Sequence, residues 1–163
     1  MVTLETVLDV VPALSVAVAL VYYGLQIRNQ NKTREAQIYV TIWDKFSNPD
    51  FLERYYEVQN HEWTDFEDYM EKYAGIQQRD PKQFGRITSV GTMLEGIGVL
   101  VKRGFLNPLY VADLLPTFVL QYWEKRREVT KELRRRWSNP RIWVQIELLY
   151  DRIKPIVERQ YPA

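Results

Sequence analysis

The sequence predicts an all-α protein: an N-terminal transmembrane helix continuing into a cytosolic bundle of about five to six helices. Three observations predict it. Val10 to Leu25 runs for 16 positions without a charged side chain. After residue 30, no segment sustains the two-residue alternation of a strand. Helix punctuation recurs instead: Asn48-Pro49, Asp80-Pro81, Asn107-Pro108 and Asn139-Pro140 each set a favoured N-cap before a proline preorganised for the first helical position.

A spanning helix needs about 20 mostly apolar residues. Val7 to Ile27 supplies 21, with Asp9 at one interface and Tyr22 and Tyr23 at the other, where amphipathic rings are favoured. The run is apolar on nearly every face and offers no polar stripe to water. Arg28, Lys32 and Arg34 come directly after it, whereas Glu5 and Asp9 make the preceding tail acidic. The positive-inside rule then makes residues 1–30 the membrane anchor and interface, with the N-terminus outside. Residues 31–163 form the cytoplasmic domain of a single-pass cell-membrane protein. The acidic tail is also the opposite of a signal peptide's basic n-region.

The first helix is expected to continue through Asn31 to Phe46, with an apolar stripe at Tyr39, Ile42, Trp43 and Phe46. A second helix covers about 49–59. Thr64 with Glu67 three residues on reads as a capping box, opening a short helix over about 65–74. The fourth helix spans about 81–103 and carries the stripe Phe84, Ile87, Gly91, Leu94, Gly98 and Val101; Gly104 then marks a left-handed C-cap. A short helix comes next over 108–114, and Pro116 opens another, which reaches Trp137. The last covers about 140–159. Its buried face is Ile142, Ile146, Leu149, Ile153 and Ile156, opposite Glu147, Asp151, Lys154 and Glu158, and Pro155 is a point for a kink.

Several segments together resemble a known family. They are the N-terminal hydrophobic helix, NKTREAQIYVTIWDKFSNPDFLERYYEV, MLEGIGVLVKRGFLNPLYVADLLP and the Tyr-Trp pair in VLQYWEKRREV. The likeness is to a broad family of uncharacterised bacterial and archaeal proteins defined as a domain of unknown function. The resemblance implies one membrane helix and a helical cytosolic domain; it implies no catalytic residues.

Composition narrows the chemistry. At 46% hydrophobic and 26% charged residues the chain is ordinary globular material. Cysteine is absent, which excludes disulfides, thiolate metal sites and a cysteine nucleophile. The one histidine, His61, argues against multi-histidine metal sites and serine–histidine catalysis. Its acidic surroundings, Glu62, Asp65, Glu67, Asp68 and Glu71, lack the spacing and central glycine of a calcium loop and read as a solvated acidic segment. Charge is divided along the chain: residues 31–80 hold 6 basic against 11 acidic side chains, residues 81–163 hold 15 against 8.

Three sets of residues stand out. Gly91, Gly96 and Gly98 lie in a helix interior without the preceding strand of a phosphate loop, so they mark close helix contact, Gly91 and Gly98 on the stripe itself. Arg126 falls among Val119, Tyr122, Val129 and Leu133 at heptad spacing; a buried charge wants a counter-charge, and Glu95 is the expected partner. Lys125, Arg127, Lys131, Arg134 and Arg135, with Arg126 and Arg136, form a basic surface interrupted by Glu124, Glu128 and Glu132. That interruption disfavours nucleic acid and suits pairing with the acidic 57–71 stretch, with anionic lipid as a further candidate.

No catalytic, metal or cofactor set is present, so the sequence reads as a non-enzymatic membrane protein. Its partners are the lipid bilayer and a protein partner or further copies of itself. The alternative is a pore-forming or membrane-perturbing effector assembled through its N-terminal helices, for which Asp9, Ala13, Ser15, Ala17 and Ala19 would permit close association.

Overall fold

The structure, a computed structural model, describes residues 4–162, with side chains for Pro12 and from Leu14 onward. Asp9 and Ala13, invoked for the anchor and its association, lie outside the described side chains. The protein is all-α: α1 Leu4–Phe46, α2 Pro49–Gln59, α3 Phe66–Tyr69, α4 Pro81–Lys102, α5 Pro108–Leu114, α6 Pro116–Arg136 and α7 Val144–Gln160, with no strand among the described residues. The chain divides between Val40 and Thr41 into two units. In the first, every residue from Leu14 to Arg34 is exposed.

The second unit contains the end of α1 and α2–α7. Phe46 meets Phe51 of α2 with ring centroids 4.5 Å apart and Phe118 of α6 at 5.2 Å, and Tyr55 closes on Phe118 at 4.6 Å. Ile42 and Phe46 are buried, but Trp43 is 48% exposed. One residue is about 100° of helix, which carries Trp43 off the narrow buried stripe. α7 packs against α4, α5 and α6, and α2 packs on α4. Within α7, Ile146, Leu149 and Ile153 are fully buried.

Caps fix most boundaries. Asn48 Oδ1 accepts from the Asp50 N–H at 2.8 Å, Asn107 Oδ1 from Leu109 at 3.0 Å, and Asp80 Oδ1 from Gln83 at 2.9 Å. Gly104 adopts φ +73°. Its N–H donates to Val101 O at 3.1 Å and that of Phe105 to Leu100 O at 2.9 Å, the two bonds of a Schellman motif.

Three boundaries differ from those expected of the sequence. Asn139-Pro140 closes a turn, with Asn139 Oδ1 accepting from the Arg141 N–H at 3.1 Å, and α7 begins only at Val144. The interruption is Trp143, held left-handed at φ 52°, which no continuous helix passes through. Ile142 therefore leaves the α7 face and joins Tyr69, Val129 and Leu133. The helix start predicted at Thr64 moves by one residue. Asp65 is the cap, accepting from the Asp68 N–H at 2.9 Å, while Asp68 Oδ2 accepts from the Thr64 N–H at 3.0 Å. Finally, α3 ends at Tyr69 and gives way to a π-helical turn, Met70–Ala74, and a 3-10 turn, Gly75–Gln77. A Cβ at Gly75 would lie 2.6 Å from Met70 O, so the wide turn requires glycine there.

Among the described residues, Pro81–Lys102 is the helix long and apolar enough to cross a membrane. Val90 and Leu94 on it are fully buried, and Ile97 and Val101 nearly so. Its apolar character is that of the helix at the centre of the core.

The glycines of α4 make a controlled comparison. A Cβ at Gly98 would collide with the Gln145 carbonyl, a backbone group that cannot swing aside, whereas Gly96 faces open space. Gly98→Ala should destabilise by about 2–3 kcal/mol, and Gly96→Ala should stabilise by up to about 1 kcal/mol through helix propensity. Chemical denaturation of the two variants beside the parent chain checks both signs at once.

Candidate functional site

Arg126 lies in the buried stripe of α6 with Val119, Tyr122, Val129 and Leu133 and is 4% exposed. Its expected partner is elsewhere. The Glu95 carboxylate accepts from the Gln145 N–H at 3.0 Å and from the Ile146 N–H at 2.9 Å, at the start of α7. The reason is local. α7 opens on the left-handed Trp143 with no side-chain cap of its own, and its first N–H groups need an acceptor. A carboxylate also suits the positive end of the helix dipole. Gly91 and Gly98 flank Glu95 on the same face of α4: a Cβ at Gly91 would lie 2.5 Å from the Tyr122 hydroxyl and 3.1 Å from the Trp143 ring.

Arg126 is held by other means. Its Nη2 donates to Val58 O at 2.9 Å, and its guanidinium carbon stands 4.8 Å from the Tyr122 ring centroid and 5.7 Å from that of Trp63. Electron-rich ring faces thus stand where a carboxylate was expected. Nη1 is buried without a hydrogen-bond partner. Lys125, the preceding residue, donates from Nζ to Gln59 O and lies 5.5 Å from the same Trp63 ring. Val58 and Gln59 form the last turn of α2, which contains no basic residue. α6 therefore brings two cations to the negative end of another helix. Among the described residues neither cation has a carboxylate at ion-pairing distance.

Beside Lys125 lies an open pocket of about 420 Å³, lined by His61, Glu62, Trp63, Thr64, Lys72 and Lys125. The His61 ring stacks on Tyr73 at 3.9 Å, 14° from parallel, is 8% exposed, and leaves Nδ1 buried without a partner. The Tyr73 hydroxyl in turn accepts from the Glu62 N–H at 3.2 Å. Burial, reinforced by Arg126 and Lys125 and opposed by Glu57, pushes the imidazole down to about 4. Burial and Arg126 also lower Lys125, against the pull of Glu62. Lys72 is engaged by Asp68 at 2.8 Å.

The rest of the predicted basic surface is paired within the chain. Lys131 and Arg127 meet Glu128 at 3.1 and 3.4 Å, Arg135 meets Glu132 at 2.6 Å, and Arg134 meets Glu147 at 2.5 Å. Arg136 bridges Glu132 at 2.7 Å and Glu67 of the acidic stretch at 2.6 Å. Hydrogen bonds from Arg135 and Arg136 bring Glu132 down to about 2. Among the described residues no group of three His, Asp or Glu side chains is placed to hold a metal.

With the fold and this pocket established, the chain can be compared with known proteins. The model of a domain of unknown function, DUF4760, matches residues 10–153. The chain belongs to that family. No curated protein and no solved structure matches it. Sequence reasoning about this DUF4760 chain missed Trp63 as a neighbour of Arg126 and Tyr73 as the ring stacked on His61, and treated His61 as part of an acidic loop. For Tyr73 the signal was Gly75, which closes the π turn carrying it; such turns are frequent at functional sites.

Two measurements test this arrangement. An unfolded histidine protonates near pH 6.5 but the folded His61 near pH 4, so below about pH 6.5 the proton favours the unfolded chain. Stability should fall as pH drops through that window, by about 3 kcal/mol once the pH is below 4. His61→Gln should lack this component between pH 6.5 and 5, measured by denaturant midpoints. Glu95→Gln and Arg126→Met share no hydrogen-bond partner, so a double-mutant cycle should find their effects additive to within about 0.5 kcal/mol.

Proposed function

We propose that the chain is a non-enzymatic, single-pass membrane protein. Residues 1–30 anchor it, and residues 31–163 form a cytoplasmic helical domain that binds a protein partner or further copies of itself. The observation that carries the reading is the exposure of α1. Leu14, Val16, Val18, Leu20, Val21, Tyr22, Tyr23, Leu25 and Ile27 are all between 55% and 68% exposed. They include side chains on every face of the helix, a surface that hydrocarbon accepts and water does not. Arg28, Lys32 and Arg34 at its C-terminal side support a cytoplasmic location for the helical domain.

Support for partner binding comes from the helical unit. Phe105 and Leu109, at the turn joining α4 to α5, are 55% and 46% exposed. Trp137, at the end of α6, is likewise exposed. Large apolar side chains left at a surface are the usual material of a binding face. Within the described residues the helical unit supplies an ion-pair network and an aromatic core, and no constellation for acyl, phosphoryl or hydride chemistry.

The full-length protein should stay in the membrane pellet through alkaline carbonate extraction, and a reporter fused to the C-terminus should be active only in the cytoplasm. Release by carbonate overturns the anchor; a reporter active only outside overturns the orientation.

A further inference from the structure

Lys125 and Arg126 are adjacent in sequence, both reach the Trp63 ring, and both satisfy only main-chain carbonyls. Every other cation of the α6 cluster has a carboxylate within 4 Å. The two thus place two positive charges without an ion-pair partner in partly desolvated surroundings, where an unpaired charge is expensive, and Glu62 acts on Lys125 only at a distance. An ammonium has three donors and Lys125 uses one on Gln59 O, so it has donors left for the pocket that it lines. Thr64 and Lys72 also line the pocket, both engaged by the Asp68 carboxylate, and the His61 ring forms part of its wall. The pocket volume, about 420 Å³, admits an organic group as well as an ion, and Trp63 gives it a flat apolar wall.

We infer that this pocket binds a phosphate monoester, its dianionic phosphoryl group held by Lys125 in the field of Arg126 and its organic part against Trp63. Charge selects the class: a dianion matches the two unneutralised cations, whereas a carboxylate leaves one of them unmatched. Glu62, also in the lining, faces the organic part, where a hydroxyl or amine has an acceptor. The phosphoryl group can belong to a soluble ester or to a lipid headgroup, and the site itself does not depend on the membrane reading.

The only histidine is the reporter. The charged and titratable groups facing His61 are Glu57 from α2, Glu62 from the connecting segment, Tyr73 from the π turn, and Lys125 and Arg126 from α6. A phosphoryl group at Lys125 offsets the two cations that act on His61, so its binding should shift the His61 ring carbon-13 resonances. The full chain in non-ionic detergent, labelled with carbon-13 histidine, is titrated at about pH 7.5, where a phosphate monoester is a dianion, with inorganic phosphate, glycerol 3-phosphate and acetate at constant ionic strength. A parallel series uses phosphatidylcholine nanodiscs with and without phosphatidic acid. A saturable shift with glycerol 3-phosphate supports the site and assigns a soluble ester; a shift with phosphatidic acid alone supports it and assigns a headgroup. Lys125→Met should weaken the half-saturation at least about tenfold, and Lys131→Met should leave it unchanged. An unmoved His61 in every series, a shift with inorganic phosphate alone, an equal shift with acetate, or an undiminished response in Lys125→Met overturns the proposal. Where a variant does not fold, the wild-type titrations decide.

Discussion

The helical unit depends on charges that cap helices other than their own. Glu95 of α4 closes the N-terminus of α7 by accepting from the Gln145 and Ile146 N–H groups. Without it, α7 would begin on a left-handed tryptophan with its first donors unsatisfied inside a packed interface. The close approach this requires is set by Gly98, where a side chain would strike the Gln145 carbonyl, and by Gly91, which admits the Trp143 ring and the Tyr122 hydroxyl. Three residues on one face of α4 therefore fix where α7 starts. The full burial of Ile146, Leu149 and Ile153 results from that placement.

The second capping arrangement runs the other way. The last turn of α2 ends without a basic residue of its own, and α6 supplies Lys125 and Arg126 to the carbonyls of Gln59 and Val58. This explains how an arginine at 4% exposure persists with no carboxylate beside it. The helix end offers partial negative charge, and Tyr122 and Trp63 offer ring faces at 4.8 and 5.7 Å. Each is a weaker partner than a carboxylate. Lys131, Arg135 and Arg136, by contrast, face solvent and find Glu128 and Glu132 within a turn of their own helix.

Local signals in the sequence located most of the fold. Proline after asparagine or aspartate placed the starts of α2, α4 and α5, and Gly104 placed the end of α4, because these caps are decided by residues within a few positions of each other. The same logic failed at Asn139-Pro140, where the left-handed Trp143 is set by the space over Gly91, a tertiary fact. Heptad spacing correctly put Arg126 on a buried face of α6 but said nothing of what lies opposite. Glu95 was assigned to it by chemistry alone, and helix ends compete for carboxylates as effectively as guanidinium groups do. Periodicity finds faces; it does not rank the acceptors and donors that meet across them.

The same distinction separates the two halves of the basic cluster. Lys131, Arg135 and Arg136, on an exposed helix face, are neutralised by glutamates three or four residues away. A cation turned inward is neutralised by whatever the fold brings: Glu147 of α7 for Arg134, carbonyls and rings for Arg126. Lys125 stands at the border, partly buried, with Glu62 acting on it only at a distance. His61 records the result: an imidazole beside a true ion pair would keep much of its basicity, whereas this one is driven to about 4 by burial and by Arg126. The positive field at the end of α2 is therefore left by the capping scheme itself, and it reaches the pocket wall at Lys125, where an ammonium keeps donors to spare.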